Sequence, residues 1–429
     1  MARRTLILLE GHRSIGPMYL KEARGLGLNP ITLSADPTEY DYLAAEGVDV
    51  IQVDTENLGA LIDECSHLRA KHDIAGITGF TTLDESLYAT VGKLCRHFDL
   101  PGPNPASIER CCDKFAQRQL LAQTGVPMPD YRLAASATDV ERYAAEIGLP
   151  VVVKPAAGTG SSGVRLCRSV NELAEHTTYL LSRKHTWKSL PRILVEEFAQ
   201  GPFYGADIMG NEVVGIGTAD FASPPHFIFR ECTYPAPLTD DAHKRIADVS
   251  LACLQALGLD WGPTSIEFRW TKRGPVVIEV NPRLSGGTNP QRVQLAYGVD
   301  LVAEHIKVVI GEEWNLRRSR SDVAATRYLI PDRDGTLDWI DGGSRAAAVP
   351  GVAEVKLYVE PKKTIARNGD YLDAIGHVIA ASPSLARTEA TLERAVDLIS
   401  WSIAPSPTEQ EKPEAPHLSA PAQVPPAKR

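Results

Sequence analysis

Short aliphatic and β-branched runs alternate with longer amphipathic stretches over the first hundred positions. "TLILLEG" (5–11), "PITLSAD" (30–36), "VDVIQVD" (48–54) and "AGITGF" (75–80) have strand length, and segments of helical length separate them. This alternation predicts a parallel α/β sheet with crossover helices. "PGPNP" (101–105) interrupts the pattern. Over 106–124 apolar residues return at helical spacing, with Lys114 and Arg118 one turn apart, which predicts a single amphipathic helix.

From 151 onward the pattern changes to paired strands: "VVVK" (151–154), "RILVEEFA" (192–199), "FYGADIMG" (203–210) and "EVVGIGTADF" (212–221). A helix is predicted at 239–257. Behind it, "GPTSIEFRW" (262–270) and "PVVIEVNPR" (275–283) read as antiparallel strands joined by the turn "TKRG". A third unit begins near 320 with "AATRYLIP", "EVKLYVEP" and "GHVIAASPS", and its last predicted element is a helix at 387–403. Residues 404–429 hold seven prolines and little that could pack, the composition of a disordered tail.

Composition narrows the function classes. A chain of 429 residues, 43% hydrophobic and 23% charged, suits two or three packed globular domains. A net charge of −9 argues against nucleic acid or an anionic membrane as main partner, so any polyanion must meet a local cluster of cations. The seven cysteines are scattered, and Cys111–Cys112 matches no metal-ligand spacing, which points to free thiols in a reducing cytoplasm. The apolar run after "MARR" is too short for a signal-peptide core, and no stretch approaches membrane-span length.

Candidate chemistry starts at "VVVKPAAGTGSSGV" (151–164). A buried strand ends in Lys154, and Gly158, Gly160 and Gly163 with Ser161 and Ser162 form a turn rich in backbone N–H groups. Such donors beside a cation suit phosphate oxygens. The lysine precedes the glycines, so this is no Walker A loop, and the strand-like "VRLCRS" behind them rules out a dinucleotide fingerprint. A plain hairpin turn explains the stretch equally well by itself.

A second constellation favours the phosphate reading. Glu267 and Glu279 lie twelve positions apart on the two strands after 262, followed by Asn281 and Arg283. Positions 279, 281 and 283 share one strand face. If the strands pair through a short turn, two carboxylates and an amide face one space with a guanidinium at the rim. Converging carboxylates need a neutraliser, and Mg²⁺ commonly bridges one or two of them to nucleotide phosphates. Either glutamate taken singly is better explained by a surface pair with Arg269 or Lys272.

At these residues the chain resembles the ATP-grasp superfamily. Lys114, Lys154 with its glycine-rich loop, "VEEF" (195–198) and "IEFRW…VIEVNPRLSGG" follow that family's order. The likeness spans roughly residues 5–400. The segments 224–238 and 281–301 most resemble carboxylate–amine ligases such as the L-amino-acid ligases. The resemblance implies an N-terminal pre-ATP-grasp α/β domain (1–104), an ATP-grasp domain (105–315) with its lid at about 150–210, and a small C-terminal α+β subdomain of biotin-carboxylase type (316–403). It also implies residue roles. Lys114, Lys154 and the backbone of 158–163 would hold ATP phosphates; Glu196, Glu197, Phe198 and Ala199 would meet adenine; Glu267, Glu279 and Asn281 would hold Mg²⁺ or Mn²⁺; Arg283 would stabilise the transferring phosphoryl group. Phe203 stands where the ligases commonly carry a ribose-binding glutamate, with Asp207 a substitute. His226, Arg230, Glu231 and Arg327 are the expected substrate contacts.

The implied reaction is ATP-dependent amide or peptide bond formation through an acyl-phosphate, on small-molecule carboxylate and amine substrates, amino acids foremost. Family members are often dimers, which leaves a homodimer open. A biotin-type carboxylase is the rival, weakened because "PRLSGGTNPQ" rather than a "TRIQVEH" type of run follows Asn281; purine-pathway ligases, a further alternative, share the grasp but not the "HFIFRECTYPAPL" segment. A non-catalytic nucleotide-binding module would be expected to have lost the carboxylate pair. His12 and Arg13 lie where α/β sheets place ligands, yet read more simply as a surface turn. Asp84 and Glu85 read as helix-capping charge.

Overall fold

The computed structural model describes residues 4–80, 86–182 and 191–405. The N-terminal unit is a four-stranded parallel sheet. Strand Arg4–Leu9 lies between Asn29–Ser34 and Asp73–Gly79, and Asp49–Gln52 forms the outer edge. Residues 6–9 of the central strand are almost fully buried on both faces, as the continuous run "LILL" requires of an inner parallel strand.

The single helix expected at 106–124 is two, Pro105–Cys112 and Lys114–Gln123. They meet at Asp113, whose extended backbone ends the first and whose carboxylate accepts the Phe115 and Ala116 N–H groups of the second. Apolar spacing alone continues smoothly across this break, so periodicity could not place it. A four-stranded antiparallel sheet follows, in the order Tyr131–Ala134, Ile193–Glu197, Val151–Pro155, Arg165–Cys167. Helices Ala137–Ile147 and Val170–Ser182 cover one face of it.

The centre of the molecule is an eight-stranded antiparallel sheet. Its order is Gly274–Asn281, Pro263–Thr271, Phe203–Met209, Glu212–Phe221, Phe229–Tyr234, Val323–Leu329, Gly376–Ser382, Val352–Leu357. The last three strands come from the region beyond 316, so that region extends the central sheet rather than packing beside it. Helix Asp240–Leu257 buries Ile246, Cys253, Leu254 and Leu257 against the back of the sheet, beside Ala206, Ile208, Ile266 and Phe268. The opposite face, with Phe203, Gly205 and Asp207 at alternate positions, is left to the cavity described below.

A three-stranded sheet, Thr364–Ile365, Gly335–Asp341, Ser400–Ala404, completes the fold. The helix expected at 387–403 is Leu385–Val396, and "SWSIA" behind it pairs as a strand with Gly335–Asp341. Alternation over five residues is a strand period, hidden in the sequence by the adjoining helical pattern. Asp84, Glu85 and the Pro-rich segment from 406 lie outside the described residues. Among the described helices, none is long and apolar enough to cross a membrane.

Candidate active site

The strand Val151–Pro155 is held on both sides, by Ile193–Glu197 and by Arg165–Cys167, and delivers a buried Lys154 to the cavity. Between it and Arg165 the chain turns through Gly158, Gly160, Ser161 and Gly163, all with positive φ. Glycine is required at 160 for a second reason, since a Cβ there would come within 2.4 Å of the Tyr371 ring. The Gly160 carbonyl accepts the Tyr371 N–H at 3.3 Å, which ties this loop to the C-terminal region.

Lys114 opens its helix and reaches the same space. Its Nζ lies 2.9 Å from Glu279 Oε1 and donates to the Gly158 carbonyl at 2.5 Å. Lys154 Nζ lies 2.6 Å from Glu196 Oε2, while Arg118 Nε donates to Glu196 Oε1 at 2.8 Å. Arg118 is 1% exposed and also donates to the Ile278 carbonyl, bridging the strand Ile193–Glu197 to the central sheet. Lys114 and Arg118, one turn apart on one helix face, thus reach Glu279 and Glu196. Glu196, expected at adenine, is occupied by these two cations; Glu197, Phe198 and Ala199 line the cavity beside it. The Glu196 charge is strongly preferred: burial opposes it, but Arg118 and Lys154 hold its pKa below the ordinary value.

Glu267 and Glu279 face each other in register across the antiparallel pair. Burial and the neighbouring Glu279 charge raise Glu267 to about 7. Burial pushes Glu279 the same way, yet Lys114 and Lys154 keep it below the usual carboxylate range. Asn281, 3% exposed, ends the strand. Arg283 follows beyond the strand end, with Nη2 donating to Thr159 Oγ1 of the glycine-rich loop and Nη1 to the Leu284 carbonyl, both at 3.0 Å. All four line one cavity of about 320 Å³ together with Lys114, Lys154 and residues 158–162.

Two like charges pressed together in a buried place fit a divalent cation, which would relieve the strain that raises Glu267. Among the described residues, no three His, Cys, Asp or Glu side chains gather to hold a metal alone. A cation here therefore needs further oxygens, as Mg²⁺ beside nucleotide phosphates does.

The expected substrate contacts fare differently. His226, Arg230, Glu231 and Arg327 are not among the cavity-lining residues. Glu231 and Arg327 stand opposite each other on neighbouring strands and pair, Arg327 Nε to Glu231 Oε2 at 2.5 Å. Arg230 points outward, 3.4 Å from Asp220. His226 packs against Gly369. Asp207, considered as a ribose contact, instead binds Ser285 Oγ at 2.7 Å and Asn289 Nδ2 at 2.8 and 2.9 Å, and burial raises its pKa.

His12 and Arg13 correct the surface-turn reading, for both line the cavity. The Arg13 guanidinium lies 4.7 Å from the Tyr358 ring centre and 5.4 Å from that of Tyr371. Burial, with Arg283 and Arg13 nearby, lowers His12 to about 4. Sequence reasoning also passed over Tyr328, Tyr358, Tyr371, Asn289 and Arg292. The strand-end position of "GHR" was the one available signal for His12 and Arg13; the tyrosines carried none.

Comparison with known proteins bears on the fold and the family. Residues 113–317 match the carbamoyl-phosphate synthase L chain ATP-binding domain, and residues 327–404 match the L-amino acid ligase C-terminal domain 2. The uncharacterised protein y4rH of Sinorhizobium fredii is 59% identical over 403 residues, covering 94% of this chain and 84% of its own. The L-amino acid ligase of Bacillus licheniformis shares the fold at a TM-score of 0.77, with 20% identity over 94% of this chain and 100% of its own. The biotin carboxylase domain dimer of the Hydrogenobacter thermophilus 2-oxoglutarate carboxylase, solved with MgADP, ADP and bicarbonate, superposes at 0.69, with 17% identity over 94% and 92% of the two chains. The α/β architecture, the converging lysine and glutamate pairs and the two family matches agree, and this chain belongs to the ATP-grasp superfamily, in its carboxylate–amine ligase branch.

Proposed function

We propose that this chain joins a small carboxylic acid to the amino group of an amino acid, using ATP and Mg²⁺ and releasing ADP and phosphate. One observation carries the reading: the buried Glu267–Glu279 pair, Lys114, Lys154 and Arg283 converge under a glycine-rich loop on one cavity.

A carboxylate resists amines because its leaving group would be oxide. Phosphorylation by ATP turns that oxygen into a phosphate, which leaves readily. Such transfer depends mainly on positioning and charge neutralisation. Lys114 and Lys154 supply fixed positive charge for the β- and γ-phosphates, with N–H groups of 158–163 closing over them. The carboxylates of Glu279 and Glu196 hold these lysines in place until phosphate oxygens compete for them. Mg²⁺, held by Glu267, Glu279 and Asn281, would neutralise phosphate charge, and Mn²⁺ suits the same oxygens. Arg283 offers a planar fork to the moving phosphoryl group. Glu197, Phe198 and Ala199 border the adenine position. Closure of the loop over the acyl-phosphate would exclude water until the amine attacks.

The test is ADP release across a panel of amino acids and small acids, alone and in pairs. Release that requires an acid–amine pair, with the amide detected by mass, supports the reading. Bicarbonate-dependent release with carboxybiotin formed would overturn it in favour of a carboxylase. We also propose a homodimer, on the ground that the Hydrogenobacter domain is described as one; light scattering decides it.

A further inference from the structure

Helix Asn289–Tyr297 packs over strands Val323–Leu329 and Phe229–Tyr234 at one side of the cavity. Arg292, in its first turn, is 7% exposed and lines the cavity. Its Nη1 donates to Thr288 Oγ1 at 2.7 Å and Thr326 Oγ1 at 3.2 Å, and its Nη2 donates to Asn289 Oδ1 at 2.9 Å. All three acceptors are neutral. Among the described residues Nε has no hydrogen-bond partner, and Arg292 has no carboxylate within ion-pair distance. By contrast the buried cations Lys114, Lys154 and Arg118 each meet a glutamate. Asp207 binds Asn289 and Ser285 directly and meets Arg292 through Asn289, as a more distant counter-charge outside ion-pair range.

A buried guanidinium without a direct ion pair is only partly compensated. The three neutral oxygens do not cancel the charge; they fix the plane of the guanidinium, which is the preparation a bidentate anion needs. The strand that carries Thr326 lies four places across the central sheet from the one that carries Glu267, well separated from the point of phosphoryl transfer. Between them lies an apolar floor of Phe203, Ala219 and Cys232, flanked by Phe221, Phe229 and Tyr328.

We propose that Arg292 anchors a substrate carboxylate that is not the one phosphorylated, with the apolar body of that molecule lying on the Cys232, Phe229 and Tyr328 part of that floor. The proposal rests on the ligase reading above. Its carboxylate could come from the amino acid that supplies the amine or from the far end of a dicarboxylic acid.

Titration calorimetry on the full chain, with Mg²⁺ and a non-hydrolysable β,γ-imido ATP, separates these sources without turnover. L-alanine, L-leucine and L-phenylalanine are compared with their carboxamides, and succinate and phenylsuccinate with their monoamides. In one set the carboxylate binds about ten-fold or more tightly than its amide, the difference expected of a charge-assisted hydrogen bond. Arg292→Met reduces that preference to less than about two-fold, and Arg292→Lys leaves an intermediate value. Discrimination in the amino-acid set assigns the amine substrate, and in the diacid set the acid. No discrimination by the wild type, or full discrimination in Arg292→Met, overturns the proposal. Should Arg292→Met not fold, unchanged discrimination in Arg292→Lys overturns it equally. Absence of ADP release with carboxylate discrimination intact would count against the ligase reading alone.

Discussion

The cavity has two ends with opposite electrostatic habits. At the phosphate end the buried cations already have carboxylate partners: Lys114 with Glu279, Lys154 and Arg118 with Glu196. At the other end Arg292 is clamped by hydroxyl and amide oxygens. On the proposed reading, the phosphate end must keep its charges in place before and after a highly charged nucleotide passes through, so internal partners would be useful there. An end that receives one carboxylate gains affinity by leaving its cation without an internal rival. On the proposed reading, the first arrangement would serve ATP-dependent activation and the second would select a substrate.

The most severe way to break this contrast is at the carboxylate pair. Glu279→Gln removes an oxygen ligand and the partner of Lys114 but relieves the charge that raises Glu267, and should lower ADP release on the order of 10³-fold or more while the chain still folds cooperatively. Wild-type-like ADP release would remove the metal assignment.

Stability should distinguish the two arginines. Arg118→Met leaves Glu196 with Lys154 alone in a buried setting and should cost about 3–5 kcal/mol in urea unfolding. Arg292→Met removes a cation that has no carboxylate, and its cost should be smaller by at least about 2 kcal/mol. Equal losses would mean that Arg292 is as structural as Arg118.

Arg283, on the side of the cavity proposed for phosphate, donates to Thr159 Oγ1 and to the Leu284 carbonyl. Arg283→Lys should reduce kcat by roughly 10²–10³, about 2.7–4 kcal/mol, with little change in KM for ATP. A fall in melting temperature with kcat per folded molecule unchanged would instead assign Arg283 a structural role.

Acid should weaken the fold through its shielded histidines. Burial lowers His12 and His176 to about 4 and His305 to about 3. In the unfolded chain each takes up its proton near 6.5, so between about 6.5 and 4 the unfolded state binds more protons and stability falls as pH drops. Urea midpoints measured over that window should decline, and His176→Asn should flatten the slope. An unchanged slope in that variant would place the proton uptake elsewhere.

The smallest effect is expected outside the cavity. Arg230 and Asp220 form an exposed pair, so Arg230→Ala should change stability by no more than about 1 kcal/mol and leave ADP release intact. A rise in substrate KM would return Arg230 to the site.

How much of this was legible before folding follows from distance along the chain. The strand pair with Glu267 and Glu279 could be read because a short turn and a two-residue period fix which side chains face each other. The glycine loop could be read because its lysine, glycines and serines lie within eleven positions. Local rules hold over such spans, and the charge pattern of the phosphate end was therefore present in the sequence. The same rules misjudged 106–124 and 387–403, where a cap and a strand interrupt an otherwise helical pattern.

The sequence by itself determined the alternation of strands and helices, the carboxylate pair and the loop opposite it, because each depends on neighbours in the chain. Only the tertiary structure decided that Arg118 meets Glu196 across 78 positions, that Arg283 meets Thr159 across 124, and that Thr326 holds Arg292 across 34. It also decided that Glu231 and Arg327 neutralise each other off the cavity, whereas Arg292 keeps its charge within it. Whether a charge is matched depends on which strands become neighbours in the sheet, and that is set by the packing of the whole chain rather than by any local pattern.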